Sequence, residues 1–131
     1  MGTQVTPFLM FEGKAEEAMN FYVSLFPGAQ VLEVARYGPG QPALEGSVML
    51  ARFSIGSQTI MCIDSYVHHG FTFTPSISLY VECESEAEID RLYAALGEGR
   101  EALMPLGNYG FSRKFGWITD RYGVSWQLTL P

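Results

Sequence analysis

Apolar positions follow two different spacings along the chain, and the alternation between them divides it into elements. A β-rich run, Val5 to Phe11, ends at Glu12-Gly13. Ala18, Phe21, Tyr22 and Leu25 then recur every three or four residues, which predicts a helix over about Lys14 to Phe26. Glu16 and Glu17 fall in its first turn, where the helix dipole favours anions, and Pro27-Gly28 stops it. Three strand-like runs follow: Ala29 to Tyr37, Ser47 to Ile55 and Gln58 to Asp64. The loop Gly38-Pro39-Gly40-Gln41-Pro42 separates the first two, and Gly56-Ser57 forms a two-residue hairpin turn between the others.

The same order returns further on. Ser76 to Cys83 reads as a strand, and Glu84-Ser85-Glu86 opens a helix to about Leu96 with Ile89, Leu92, Tyr93 and Leu96 as its apolar stripe. Strands follow near Glu101 to Leu106, Phe111 to Thr119 and Gly123 to Leu130, with Asp120-Arg121-Tyr122-Gly123 as the last hairpin turn. The two halves echo each other in sequence: Tyr22, Leu25, Glu17 and Gly28 each stand 71 residues before Tyr93, Leu96, Glu88 and Gly99. A single domain over 1–131 is expected, with module one at about 4–66, a linker at 67–74 and module two at about 75–131. Neither β-α-β-β-β unit covers its own sheet, so the pair buries what each leaves open.

Composition narrows the function classes. With 47% hydrophobic and 14% aromatic side chains in 131 residues, burial offsets the entropy of ordering and a disordered chain is excluded. Eight basic against fourteen acidic residues give a net charge of −6, the wrong sign for nucleic acid or an anionic membrane surface. The apolar runs fall short of the roughly 18 residues of a membrane span. Residues 1–6 carry no positive charge and no apolar core of a leader, so a cytoplasmic location is expected. Cys62 and Cys83 are isolated in strand-like runs with no cationic neighbour in sequence, and read as small buried hydrophobes.

The arrangement resembles the vicinal oxygen chelate superfamily, whose members include glyoxalase I, extradiol dioxygenases and the bleomycin and fosfomycin resistance proteins. Pro7-Phe8-Leu9-Met10-Phe11, Ala15-Glu16-Glu17-Ala18 running into Phe21-Tyr22, and Phe26-Pro27 are similar to the opening of its PhnB-like branch. Phe115-Gly116-Trp117 and the run Asp120 to Leu128 are similar to that branch's close. The resemblance implies an α+β fold in which two βαβββ modules form a curved, mixed-sheet cup, and it implies a homodimer. The branch is catalogued under a demethylubiquinone methyltransferase name. Donors of the S-adenosylmethionine type are held by a glycine-rich strand-to-helix loop, whereas these junctions are Glu12-Gly13-Lys14 and Glu82-Cys83-Glu84. Methyl transfer is therefore not expected.

In enzymes of this superfamily the first and last strands of each module supply His, Glu or Gln to a divalent metal. Carried over by resemblance, those positions fall on Pro7, which has no donor, on Ser76, on Cys62 or Asp64, and on Gln127. Asp64 and Gln127 are the weak metal candidates that remain, and neither a complete catalytic metal site nor another cofactor is expected. His68 and His69 sit in the linker, and adjacent residues on an extended strand point to opposite faces, so at most one faces a shared metal.

The strands also carry Tyr37, Phe53, Tyr80, Tyr109, Phe111, Phe115, Trp117 and Trp126, more than half of which read as core. Phe111, Arg113, Phe115 and Trp117 alternate, which puts an aromatic wall and one guanidinium on a single face, with Lys114 on the other. Arg113 reads equally as a solvated strand residue, and Asp64 as a cap on the following turn with Ser65. Arg52 is a further polar candidate. Trp126 and Gln127 point to opposite faces, so only one of them looks inward. The expected ligand-binding set is Asp64, Ser76, Arg113, Phe115, Trp117 and Gln127, around a small organic molecule. The alternative is a metal-dependent glyoxalase, isomerase or dioxygenase. Hydrolase chemistry is not expected, because no Ser-His-Asp or Cys-His arrangement is legible.

Overall fold

The computed structural model describes residues 2–131. They divide into two compact units, one up to His69 and one over Gly70–Pro131. The first unit runs β1 (Phe8–Phe11), α1 (Ala15–Leu25), β2 (Gln30–Arg36), β3 (Val48–Ile55) and β4 (Gln58–Asp64). The second runs β5 (Leu79–Glu82), α2 (Glu86–Leu96), β6 (Met104–Gly107), β7 (Lys114–Thr119) and β8 (Ser125–Leu130). Each is a βαβββ module of the expected α+β class. The sheet orders are β1-β4-β3-β2 and β5-β8-β7-β6, and in each the first strand runs parallel to the last while the other pairings are antiparallel.

In module one the helix stripe is Ala15, Ala18, Met19 and Tyr22, all buried. α1 stops because Phe26 precedes Pro27: the proline ring drives the residue before it out of the helical region, and Phe26 is extended at φ −119°, ψ 129°. Phe53, Ile60 and Cys62 lie buried on the helix side of the sheet, and the Tyr22 and Phe53 rings meet at 6.2 Å. Gly56 takes φ +57° in the first central position of the two-residue β3–β4 turn, where a type II′ turn needs a positive φ.

Module two has its own helix start. Ser85 is extended, its side chain accepts a hydrogen bond from the Glu88 N–H at 3.1 Å, and Glu88 reaches back to the Glu84 N–H at 2.8 Å. Ile89, Leu92 and Leu96 are buried on the sheet side. Gly116 on β7 lets α2 approach closely: a Cβ there would stand 2.9 Å from the Tyr93 ring. Asp120 closes the β7–β8 turn, where its buried carboxylate accepts from the N–H groups of Tyr122 and Val124 and from the Trp126 indole.

Element ends differ from the sequence expectation where loops have local strand-like composition. β5 begins at Leu79 rather than Ser76, β6 at Met104 rather than Glu101, and β7 at Lys114 rather than Phe111. Alternation alone does not reveal where ladder hydrogen bonding begins.

Candidate functional site

The period-two pleat sorts the strands of module two into two faces. Lys114, Gly116 and Ile118 pair with Leu130, Leu128 and Trp126 and lie beneath α2. The Lys114 ammonium bonds Glu86 at 2.9 Å and Asp90 at 2.7 Å on that helix. Between them, Phe115, Trp117 and Thr119 pair with Thr129, Gln127 and Ser125 and face away from α2. β5 extends these rows, with Tyr80 beside Gln127 and Glu82 beside Thr129. This second face centres on the Gln127 amide, flanked along its row by Tyr80, which is 58% exposed, and by the half-buried Trp117, while Phe115, Ser125 and Thr129 on it are buried.

A chain of hydrogen bonds crosses this face. The Trp117 indole N–H donates to the Ser125 hydroxyl at 2.9 Å, the Ser125 and Ser78 hydroxyls stand 2.6 Å apart, and the Gln127 amide NH2 donates to Ser78 at 3.2 Å. Ser125 is 2% exposed, whereas Ser78 and Gln127 are half-buried. Next to Phe115 the Tyr109 and Phe111 rings form a cluster. Phe111 meets Phe115 edge-on at 5.0 Å, Tyr109 meets it edge-on at 6.1 Å, and the two outer rings stack at 6.3 Å. Both outer rings are exposed, and the Tyr109 hydroxyl is held by the Pro105 carbonyl.

Of the sequence-predicted residues, Phe115, Trp117 and Gln127 come together on this face, and Trp126 is fully buried on the opposite one. Ser76 does not join them. It is exposed ahead of β5 and bonded to the Thr74 hydroxyl at 2.8 Å, while the serine in the hydrogen-bond chain is Ser78, two residues on and of the same parity. Arg113 precedes β7; its N–H completes the ladder to the Leu130 carbonyl and its guanidinium Nε bonds the Pro131 carbonyl at 2.7 Å. Ser78, Ser125 and Tyr80 were absent from the expected ligand-binding set. The signal that finds them is register, since they become neighbours of Gln127 only once β5 is paired with β8.

Asp64 lies in module one on the helix side of its sheet, 5% exposed. Its Oδ1 accepts from the N–H groups of Gly13 at 2.8 Å and Ala15 at 3.0 Å, and its Oδ2 from Val48 at 3.0 Å. It ties the start of α1 and the start of β3 to the end of β4, rather than capping the turn that follows. Arg52 pairs with Glu33 beside it on β2. Glu12 holds the two linker histidines: one oxygen bonds His68 Nδ1 at 2.8 Å and the other the His69 backbone N–H at 3.1 Å. These bonds hold its carboxyl below the ordinary range, the His68 bond most strongly. The His69 ring meets the Ser65 hydroxyl at 3.0 Å.

The donors available for a divalent metal do not fit one. Asp64 gives both oxygens to backbone N–H groups, Ser76 is bonded to the Thr74 hydroxyl ahead of β5, and Gln127 is left as a single neutral oxygen donor. Cys62 is buried on the helix side, and burial, with Asp64 adding to it, pushes its thiol up to about 12, far from the thiolate a metal needs. Among the described residues no three His, Cys, Asp or Glu side chains stand together as a metal-holding group.

The fold and topology are those of the vicinal oxygen chelate class: the fosfomycin resistance protein FosX of Listeria monocytogenes superposes with a TM-score of 0.63 at 11% identity over all of this chain and 94% of its own. The sequence model of the 3-demethylubiquinone-9 3-methyltransferase family matches residues 3–129, and the chain belongs to that PhnB-like family. The PhnB protein from Bacillus cereus is similar at 57% identity and a TM-score of 0.94, over 98% of this chain and all of that one. Protein PA1353 from Pseudomonas aeruginosa is 32% identical with a TM-score of 0.83, over 98% of both chains. No curated protein matches the chain. Among the described residues no helix is long and apolar enough to cross a membrane.

Proposed function

We propose that this protein binds a small, planar organic molecule on the open face of module two, without a complete catalytic metal site. The observation that supports this reading is the Gln127 amide, flanked by Tyr80 and Trp117 and joined to a row of hydroxyls. Two aromatic side chains offer area for a flat ring, and a small number of fixed polar groups orient it, as ligand sites generally require. Phe115, Tyr109 and Phe111 extend the apolar side of the site.

The methyl transfer in the family's description finds no support in the chemistry of the chain. Residues 12–14 and 83–85 are its strand-to-helix junctions, and each contains at most one glycine. The metal-dependent alternative rests on Asp64, whose oxygens are both taken by backbone N–H groups, and on Gln127, a neutral donor. Arg113 supports the proposed site only through its bonds to the end of β8, and Asp64, which ties together strands of module one, is not part of it. Exposed Val31 and Leu32 on the edge strand β2 support a homodimer, since an unpaired strand edge invites a second chain. The two buried free thiols suit a cytoplasmic protein.

A thermal-shift screen of planar organic compounds tests the reading. We expect compounds that raise the melting temperature of the wild-type protein but not of Trp117→Ala, with the shift unchanged by EDTA. A shift that needs added metal and disappears on chelation favours the metal-dependent alternative.

A further inference from the structure

The hydrogens along the Trp117–Ser125–Ser78–Gln127 row do not balance, and the imbalance defines the ligand. The indole N–H has one role, donation to Ser125, and one hydrogen of the Gln127 NH2 goes to Ser78 while its second stays on the face beside the amide carbonyl. One hydroxyl hydrogen serves the bond between the two serines. Two hydroxyls bring two hydrogens, so one is left over. Were it on Ser125, a donor would be stranded in a residue 2% exposed; on the half-buried Ser78 it reaches the open face. Ser78 then accepts from both Ser125 and Gln127 and presents its O–H outward. Gln127, with its nitrogen on Ser78, presents its carbonyl oxygen. Gln127 lies in the row between Tyr80 and Trp117 and Ser78 one row along beside Ser125, so the outward donor and the acceptor share one face, linked through the Gln127 nitrogen.

We propose that Ser78 and Gln127 read a planar ring carrying a carbonyl next to an N–H, that is, a cyclic amide. The ring carbonyl accepts from the Ser78 hydroxyl, the ring N–H donates to the Gln127 carbonyl, and the ring face lies against Trp117. This proposal rests on the binding reading above and adds the chemical class of the ligand. It also gives a physical reason for the neutral side chain at position 127: a carboxylate there would draw the Ser78 hydrogen to itself and remove the outward donor.

The test is calorimetric titration of the full chain with 2-quinolone, N-methyl-2-quinolone and 2-methoxyquinoline, which share a flat bicycle and differ in the paired groups. We expect 2-quinolone to bind about tenfold more tightly than either analogue, the worth of one well-made hydrogen bond. Ser78→Ala and Gln127→Leu should each bring that ratio close to one. Ser78→Thr, which keeps the hydroxyl, should preserve it and controls for damage to the fold. Equal affinity for all three compounds, abolished in Trp117→Ala, overturns the cyclic-amide assignment and leaves the binding reading standing. No heat with any of the three overturns this assignment, and the thermal-shift screen then decides the binding reading by itself.

Discussion

Removing the Asp64 carboxylate leaves the N–H groups of Gly13, Ala15 and Val48 without their acceptor in a largely buried setting. Each buried donor left unmatched costs about 1–3 kcal/mol. Asp64→Ala should therefore destabilise the protein by about 3–5 kcal/mol in a denaturant titration, the range for breaking a buried charged network. A loss below about 1 kcal/mol would contradict the structural role given to this side chain. The thiols offer a second check at this scale. Burial pushes Cys62 up to about 12 and Cys83 up to about 11, with Asp64 and Glu88 respectively adding to the effect. At pH 8 a disulfide reagent should label neither within minutes in the native protein and both in guanidinium; fast native labelling would show that one of these strands opens. The sequence identified both cysteines as buried, because isolated cysteines in apolar runs have few other roles. It placed Asp64 at a strand end but missed its partners, which stand 16, 49 and 51 residues away and follow from no local pattern.

At the scale of elements, the two helices begin by different means. α2 is capped from within its own segment, Ser85 accepting from the Glu88 N–H and Glu88 from the Glu84 N–H, whereas α1 follows Lys14, whose side chain makes no cap, and takes its acceptor from β4. Glu16 in the first turn of α1 is clasped by Arg36 of β2 through two bonds of 2.6 Å. That contact holds the Glu16 carboxyl below its ordinary value of 4.5. A carboxyl with a lowered folded value stabilises the protein fully above the unfolded value and less as pH falls through the folded one. Melting temperature should therefore decline as pH drops below about 4.5, and Glu16→Gln should show a shallower decline between pH 5 and 3 than the wild type. An identical slope would mean that the clasp contributes nothing, as exposed pairs sometimes do. The helices were legible to within two residues, because their apolar stripes and the Phe26-Pro27 stop are local signals. Ser78 was not: Ser76 and Ser78 share a parity, and only the β5–β8 pairing places Ser78 beside Ser125 and Gln127. Arg113 reads as part of the β7 alternation, yet the strand begins one residue later.

For the whole molecule, the repeated βαβββ plan and the face of module two that turns away from α2 support the central proposal, that Gln127, Tyr80, Trp117 and their hydroxyl row hold a small planar molecule. The fold was legible because the two halves repeat both their element order and residues such as Tyr22 and Tyr93. Only part of the site was legible, since its polar centre is assembled by pairing across strands. The two tryptophans give a direct measurement. Trp117 Nε1 bonds Ser125 on the open face, whereas Trp126 Nε1 bonds the buried Asp120 on the helix side. Each gives its own indole signal in a 15N–1H correlation spectrum, which can be followed as planar organic fragments are added. The account predicts fragments that shift the Trp117 signal in a saturable way while the Trp126 signal stays in place, with the response lost in Gln127→Ala. A library that leaves Trp117 unmoved, or moves both signals together, would contradict it.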